Sequence, residues 1–115
     1  NFIRYNSENQ FGIKTTSAQR TIDIAEPLTT NTPYSLIFER DANPEGAIYR
    51  IYINGIQEEN TTSSTGSLVL DNLGVRLTDN NDLLGKMYDI TVFSAQSTHL
   101  RNNLIQYMKN IRTTI

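Results

Sequence analysis

Over roughly the first two-thirds of the chain, apolar positions recur in short runs that break at Ser, Asn, Gln or Pro. Residues 2–5, 11–16 and 20–25 read as three short strands. In the stretch Thr21-Ile22-Asp23-Ile24-Ala25 the two Ile fall on one face and Asp23 on the other. Asn31-Thr32-Pro33 is a turn, because Pro33 forces Thr32 into an extended conformation. Residues 34–40 alternate Tyr34, Leu36 and Phe38 against Ser35, Ile37 and Glu39. Apolar character on both faces predicts a central strand. Residues 41–46 form a loop, and residues 47–53 (Ala-Ile-Tyr-Arg-Ile-Tyr-Ile) form the clearest strand of all. That strand runs into Asn54-Gly55, the pair favoured where both central residues of a type I′ turn need positive φ. Residues 56–59 are the returning strand, and 60–66 (Asn-Thr-Thr-Ser-Ser-Thr-Gly) a polar loop. Residues 67–70 and 75–78 predict two further short strands, 79–82 (Asp-Asn-Asn-Asp) a turn, and 86–93 a longer strand.

The period then changes. From Ser97 onward, Leu100, Leu104, Tyr107, Met108 and Ile111 fall at i, i+4, i+7, i+8 and i+11, one apolar stripe along a helix. Ser97 is its expected N-cap, and Lys109 and Arg112 suit the negative end of its dipole.

Composition sharpens this picture. Of the 115 residues, 13 are Asn and 14 are Thr, and 13 Ile outnumber 10 Leu. Thr and Ile favour a pleated, half-buried surface, and Asn favours tight turns. The formal charge of −2 is spread without a basic stripe, so nucleic acid is not an expected partner. No apolar run approaches the roughly 18 residues of a membrane span. No charged-then-apolar start marks a signal peptide, and a first residue of Asn1 rather than Met suggests a chain whose beginning has been removed. The absence of Cys excludes disulfides, thiolate metal sites and cysteine nucleophiles.

The order of the pieces carries a resemblance. A strand of the type Tyr34-Ser-Leu-Ile-Phe is followed by Ile51-Tyr52-Ile53-Asn54-Gly55 and by two short strands. Next comes Gly85-Lys-Met-Tyr-Asp-Ile-Thr-Val-Phe-Ser94, leading into an amphipathic helix. In the order and spacing of its motifs this resembles the C-terminal two-thirds of a concanavalin A-like, laminin-G-like jelly roll, over residues 34–111. In that family a YxNG hairpin precedes a strand of the form G-x-[IM]-[YD]-D-[IV]-x-[VI]-[FY], and a short helix closes the domain. The resemblance implies an all-β fold, an antiparallel jelly-roll sandwich with a short C-terminal α-helix packed across one end, as a single domain over 1–115. Such sandwiches commonly take on the order of 150–200 residues. The shortfall fits either a late piece of a longer precursor or a reduced jelly roll completed by a neighbouring chain, and both leave unpaired sheet edges.

Catalysis is not expected. Glucan hydrolases of this fold carry a strand signature of the form E-I-D-I-x-E, which Thr21-Ile22-Asp23-Ile24-Ala25-Glu26 resembles except at the first position. Thr21 stands where a retaining enzyme needs its carboxylate nucleophile, and there is no Trp to line a sugar cleft. A diverged hydrolase using Asp23 and Glu26 is the alternative reading. His99, the single His, stands in the first turn of the helix and supports neither a triad nor a zinc site.

The resemblance implies glycan or protein binding through rim loops, in an extracellular or virion setting. On that reading Asp41, Asn43, Tyr52 and Asn80 are the candidate ligand-binding residues. Asp79, Asn81 and Asp82 offer closely spaced oxygens to a Ca²⁺ ion, although Asp and Asn also cap tight turns without metal. No other cofactor is expected. Asn60-Thr61-Thr62 matches an N-glycosylation acceptor. Small, acidic, Cys-free, Asn/Thr-rich sandwiches also resemble virion accessory domains. Expected partners are therefore a glycan or a protein, together with other chains or the rest of the precursor.

Overall fold

The computed structural model describes residues 1–6, 9–42, 45–70, 85–94 and 97–115. Among the described residues, two antiparallel sheets and one C-terminal helix make up the regular structure. The first sheet holds β1 (Phe2–Asn6), β2 (Gln10–Lys14) and β3 (Gln19–Asp23), in the order β1-β2-β3. The second holds β4 (Leu36–Asp41), β5 (Ile48–Ile53), β6 (Ile56–Gln57) and β7 (Thr62–Ser63). Here β5 pairs with β4 along its whole length on one side, and with β6 and β7 on the other.

Alternation decides what each sheet buries. Phe11 and Ile13 of β2, Ile22 of β3 and the adjoining Ile24 point inward and meet Tyr49 and Ile51 of β5 in one buried cluster. Leu36, Phe38 and Ile53 pack against the same cluster from the second sheet, and Ile3 from the first. The Phe11 ring makes one of the cross-sheet contacts. Its centroid lies 5.1 Å from Phe38 in an edge-to-face arrangement and 5.2 Å from Tyr5. Such pairs contribute about 0.5–1.5 kcal/mol beyond their buried area.

The Asn excess appears where turns need it. Asn9, Asn31 and Asn54 all have positive φ, and Asn54-Gly55 (φ 52° and 82°) closes the β5–β6 hairpin as the residues predict. Gly55 is doubly constrained. A Cβ there would lie 2.8 Å from Ile105 Cγ2 on the helix, so the turn also sets how closely the helix approaches.

The helix, α1 (Thr98–Thr114), begins at Ser97, whose Oγ accepts a hydrogen bond from Leu100 N. It does not close one end of the sandwich as expected. It lies on the outer face of the second sheet, because Arg101, Ile105 and Arg112 reach β4, β5 and their flanking turns. The order of layers is sheet, sheet, helix. Leu100, Leu104, Met108 and Ile111 are half-buried as the stripe predicts, whereas Tyr107 is exposed and Ile105 takes its place.

Two strand expectations fail. Residues 67–70 join no strand ladder, although Ser67 exchanges hydrogen bonds with Thr16, and only Leu68 reaches the core. Residues 86–93 alternate as a strand would, yet they pair with nothing among the described residues and lie exposed. Alternation reports which way side chains would point, whereas a strand exists only where a partner accepts its backbone hydrogen bonds. The loop at 60–66 is the reverse case. It contains β7, and Ser64 and Gly66 within it are buried. The strand expected at 75–78 and the turn at 79–82 lie outside the described residues.

Candidate functional site

Two polar constellations stand out, one closed and one open. The closed one lies between the second sheet and the helix. Glu39 on β4 faces Arg50 on β5 directly across the ladder. Arg50 Nη1 lies 3.3 Å from Glu39 Oε1 and 3.2 Å from Asp41 Oδ2. From the helix, Arg101 Nε donates to Glu39 Oε2 at 3.0 Å. The same guanidinium sits 4.9 Å above the centre of the Tyr52 ring. Glu39 is 6% exposed, so its carboxylate is held by two guanidinium groups with little solvent to screen the pairs. Burial, helped by the Glu39 carboxylate, raises the Tyr52 phenol above its ordinary value. Among the described residues no buried side-chain polar atom lacks a partner. A satisfied network of this kind, with Glu39 and Tyr52 buried in it, holds the helix to the sheet.

The open constellation lies where the two sheets meet. Thr15 follows β2, and its buried Oγ1 shares a 2.7 Å hydrogen bond with Ser64 Oγ. Thr16 N donates to Ser67 O at 3.0 Å, and Ser67 N returns a bond to Thr16 Oγ1 at 2.9 Å. Thr65 Oγ1 donates to Ser17 Oγ at 3.4 Å. Arg20 of β3 reaches across to β7, donating from Nε to Ser63 O at 3.2 Å. Around these groups is a cleft of about 330 Å³, lined by Ser17, Ala18, Arg20, Gly46, Ser63, Ser64 and Thr65. Its chemistry is four hydroxyls and one guanidinium beside exposed backbone. That donor-rich lining suits a polyhydroxylated or anionic group.

Comparison with family models, curated proteins and solved structures finds no match for this chain. What the molecule does is therefore argued from these two constellations.

Of the residues singled out from sequence, Asp41 and Tyr52 are brought together in the closed network, on either side of Glu39 and Arg50. Tyr52 is 5% exposed, so the ring expected at a ligand is covered by Arg101. Tyr49, on the opposite face, is in the core, with its Oη accepting from Arg40 Nε at 3.1 Å. Asn43 and Asn80, and the expected calcium ligands Asp79, Asn81 and Asp82, lie outside the described residues. Among the described residues no three His, Asp or Glu converge to hold a metal ion. Asp23 is exposed on β3 and accepts from Gln10 Nε2 at 2.8 Å, and Glu26 is exposed in the bend that follows. His99 is exposed in the first turn of α1, with Nε2 3.2 Å from Asn103 Nδ2.

Sequence reasoning missed Glu39, Arg50 and Arg101, and it missed the hydroxyl cleft. A signal for the first existed: Glu39, Ile37 and Asp41 share one face of β4, an acidic face that needs cations. The Thr15–Ser64 contact spans 49 residues and leaves no mark in local pattern.

Proposed function

We propose that the chain is a non-enzymatic adhesion or structural module of a virion or cell-surface assembly, built as a concanavalin A-like jelly-roll sandwich and binding a glycan through its rim. The observation that carries this reading is the open cleft of Ser17, Arg20, Ser63, Ser64 and Thr65, which presents hydroxyls and a guanidinium at the meeting line of the two sheets. Sugars are recognised by such donor and acceptor arrays, and Arg adds a fixed fork for a carboxylated or sulfated sugar. The face-to-face packing of two antiparallel sheets over one apolar layer supports the sandwich. The satisfied state of the Glu39–Arg50–Arg101 network supports a structural role for its charges. Asp23, exposed on the opposite face of β3 from Ile22, and Glu26, exposed in the bend that follows, stand apart from the cleft lining.

A glycan array with the intact chain tests this directly. Binding to acidic glycans is expected, and Arg20→Ala is expected to weaken it about tenfold or more, equivalent to about 1.4 kcal/mol. No glycan bound at all removes the lectin reading. Binding that Arg20→Ala leaves unchanged removes the cleft. Polysaccharide cleavage that is lost on Asp23→Asn with Glu26→Gln would overturn the non-enzymatic assignment in favour of the diverged hydrolase.

A further inference from the structure

The second sheet ends in a strand that looks like the middle of a sheet. Among the described residues β4 pairs only with β5, so its other edge is open. Asn54 N donates to Ser35 O, which makes 35 and 54 a hydrogen-bonded pair. Antiparallel pairs alternate, so residues 37, 39 and 41 direct their backbone groups toward β5. Leu36, Phe38 and Arg40 therefore present N–H and C=O groups to the open edge. Both faces of β4 are covered nonetheless. Leu36 and Phe38 lie against the core, and Ile37 and Glu39 lie on the helix side. A strand added at this edge must therefore be apolar on the inner face and mixed on the outer one. A strand added to β1, the end strand of the first sheet, has no helix over its outer face.

Residues 86–93 have that pattern. Tyr88, Ile90 and Val92 form one wholly apolar face, and Met87, Asp89, Thr91 and Phe93 form a mixed one. Five of these side chains are large, apolar and exposed, Val92 to 78%. A cluster of exposed large apolar side chains of this kind marks an interaction surface in a folded protein. The segment is tethered on the helix side by a hydrogen bond from Tyr107 Oη to Asp89 Oδ2 at 2.9 Å, an exposed contact of little weight.

We propose that residues 86–93 of one copy add as a strand to the open β4 edge of a second copy, and reciprocally, giving a two-fold dimer. One chain carries both the donor strand and the acceptor edge, so the exchange is self-complementary and closes at two copies. Eight donor residues cover the six of β4. Tyr88, Ile90 and Val92 extend the layer of Leu36 and Phe38, and the mixed face continues the row of Ile37, Glu39 and Asp41. The pairing does not depend on what the rim cleft binds.

Mass measured by sedimentation across about 1–100 µM, where an interface of standard size is populated, tests the exchange. The expected result is a mass about twofold that of one chain. The double variant Ile90→Lys/Val92→Lys disarms the donor at exposed positions and is expected to stay folded and monomeric. Arg40→Pro removes an edge N–H at an exposed residue and is expected to disarm the acceptor. Mixed together, the two variants are expected to recover a dimer, since one retains a donor and the other an edge. Hydrogen exchange on the unaltered chain gives a readout that no variant can confound. The amides of residues 36, 38 and 40, and alternate amides within 86–93, are expected to slow as concentration rises. A wild-type monomer throughout the range overturns the proposal, as does a dimer that persists in the Ile90→Lys/Val92→Lys variant, or exchange at these amides that ignores concentration.

Discussion

Tyr52 shows how much one residue's role depends on what lies over it. Its Oη donates to Gln57 Oε1 at 3.3 Å, and its ring lies beneath Arg101. Burial first, and the Glu39 carboxylate second, favour the neutral phenol in the folded state. The unfolded phenol titrates near 10. Below about pH 10 both states hold the proton and the contribution of Tyr52 is fully present; it is lost as pH rises through the higher folded value. Urea unfolding at about pH 8 and about pH 11 is expected to show less alkaline loss for Tyr52→Phe than for the unaltered protein. At the lower pH the variant is expected to cost about 0.5–1.5 kcal/mol, for the hydrogen bond to Gln57. Tyr107, raised by its hydrogen bond to Asp89, titrates in the same direction in both proteins, so the difference between them isolates Tyr52. Alternation alone places Tyr49 and Tyr52 on opposite faces of β5, and the structure agrees. The Arg101 that covers Tyr52 is 49 positions away, a distance at which side-chain period says nothing.

At the scale of elements, α1 separates what periodicity can read from what it cannot. Leu100, Leu104, Met108 and Ile111 declare the helix and its buried side, and Ser97 its start. Arg101 and Arg112 lie on that same side, where a polar residue is ordinarily taken for solvent or for the dipole. Their partners Glu39 and Ser35 are on or beside β4, so the docking of the helix is written in pairs of polar residues far apart in sequence. Residues 86–93 fail for a related reason: their alternation is real, but a strand also requires an edge to join. Arg101→Met tests the dock. It removes one of the two cations from Glu39 and the cation above Tyr52, and leaves Arg50 in place. Denaturant unfolding is expected to show a loss of about 1–3 kcal/mol, below the cost of wholly orphaning a buried charge. Added to Arg101→Met, Glu39→Gln is expected to cost less than it does alone, since the neutral amide no longer needs the guanidinium. Strict additivity of the two would separate the helix from the sheet network.

For the whole molecule, the join between the two sheets is held on the core side by Phe11 against Phe38 and at the rim by the hydroxyl stitch of Thr15 with Ser64 and Thr16 with Ser67. The apolar half of this join was legible, since Phe11, Ile13, Ile22, Tyr49 and Ile51 all fall on the faces that alternation assigns. The polar half was not, because residues 60–66 have the composition of a solvated loop while Ser64 and Gly66 are packed against the turn after β2. Gly66 is the tightest point. A Cβ there would stand 2.5 Å from Ser17 N and 2.7 Å from Thr15 Oγ1, so backbone must move and the Thr15–Ser64 bond with it. Gly66→Ala is therefore expected to cost about 1–3 kcal/mol, read as a lowered Tm and an earlier denaturant midpoint. It is also expected to weaken any ligand held in the cleft, whose walls are the two sides of the stitch. Gly85→Ala is the matched control. Among the described residues a Cβ at that position meets nothing within 4 Å, so its effect is expected to stay within about 0.5 kcal/mol. Equal stability of the two alanine variants would mean that the rim adapts freely and that the sheets are joined by their apolar layer alone.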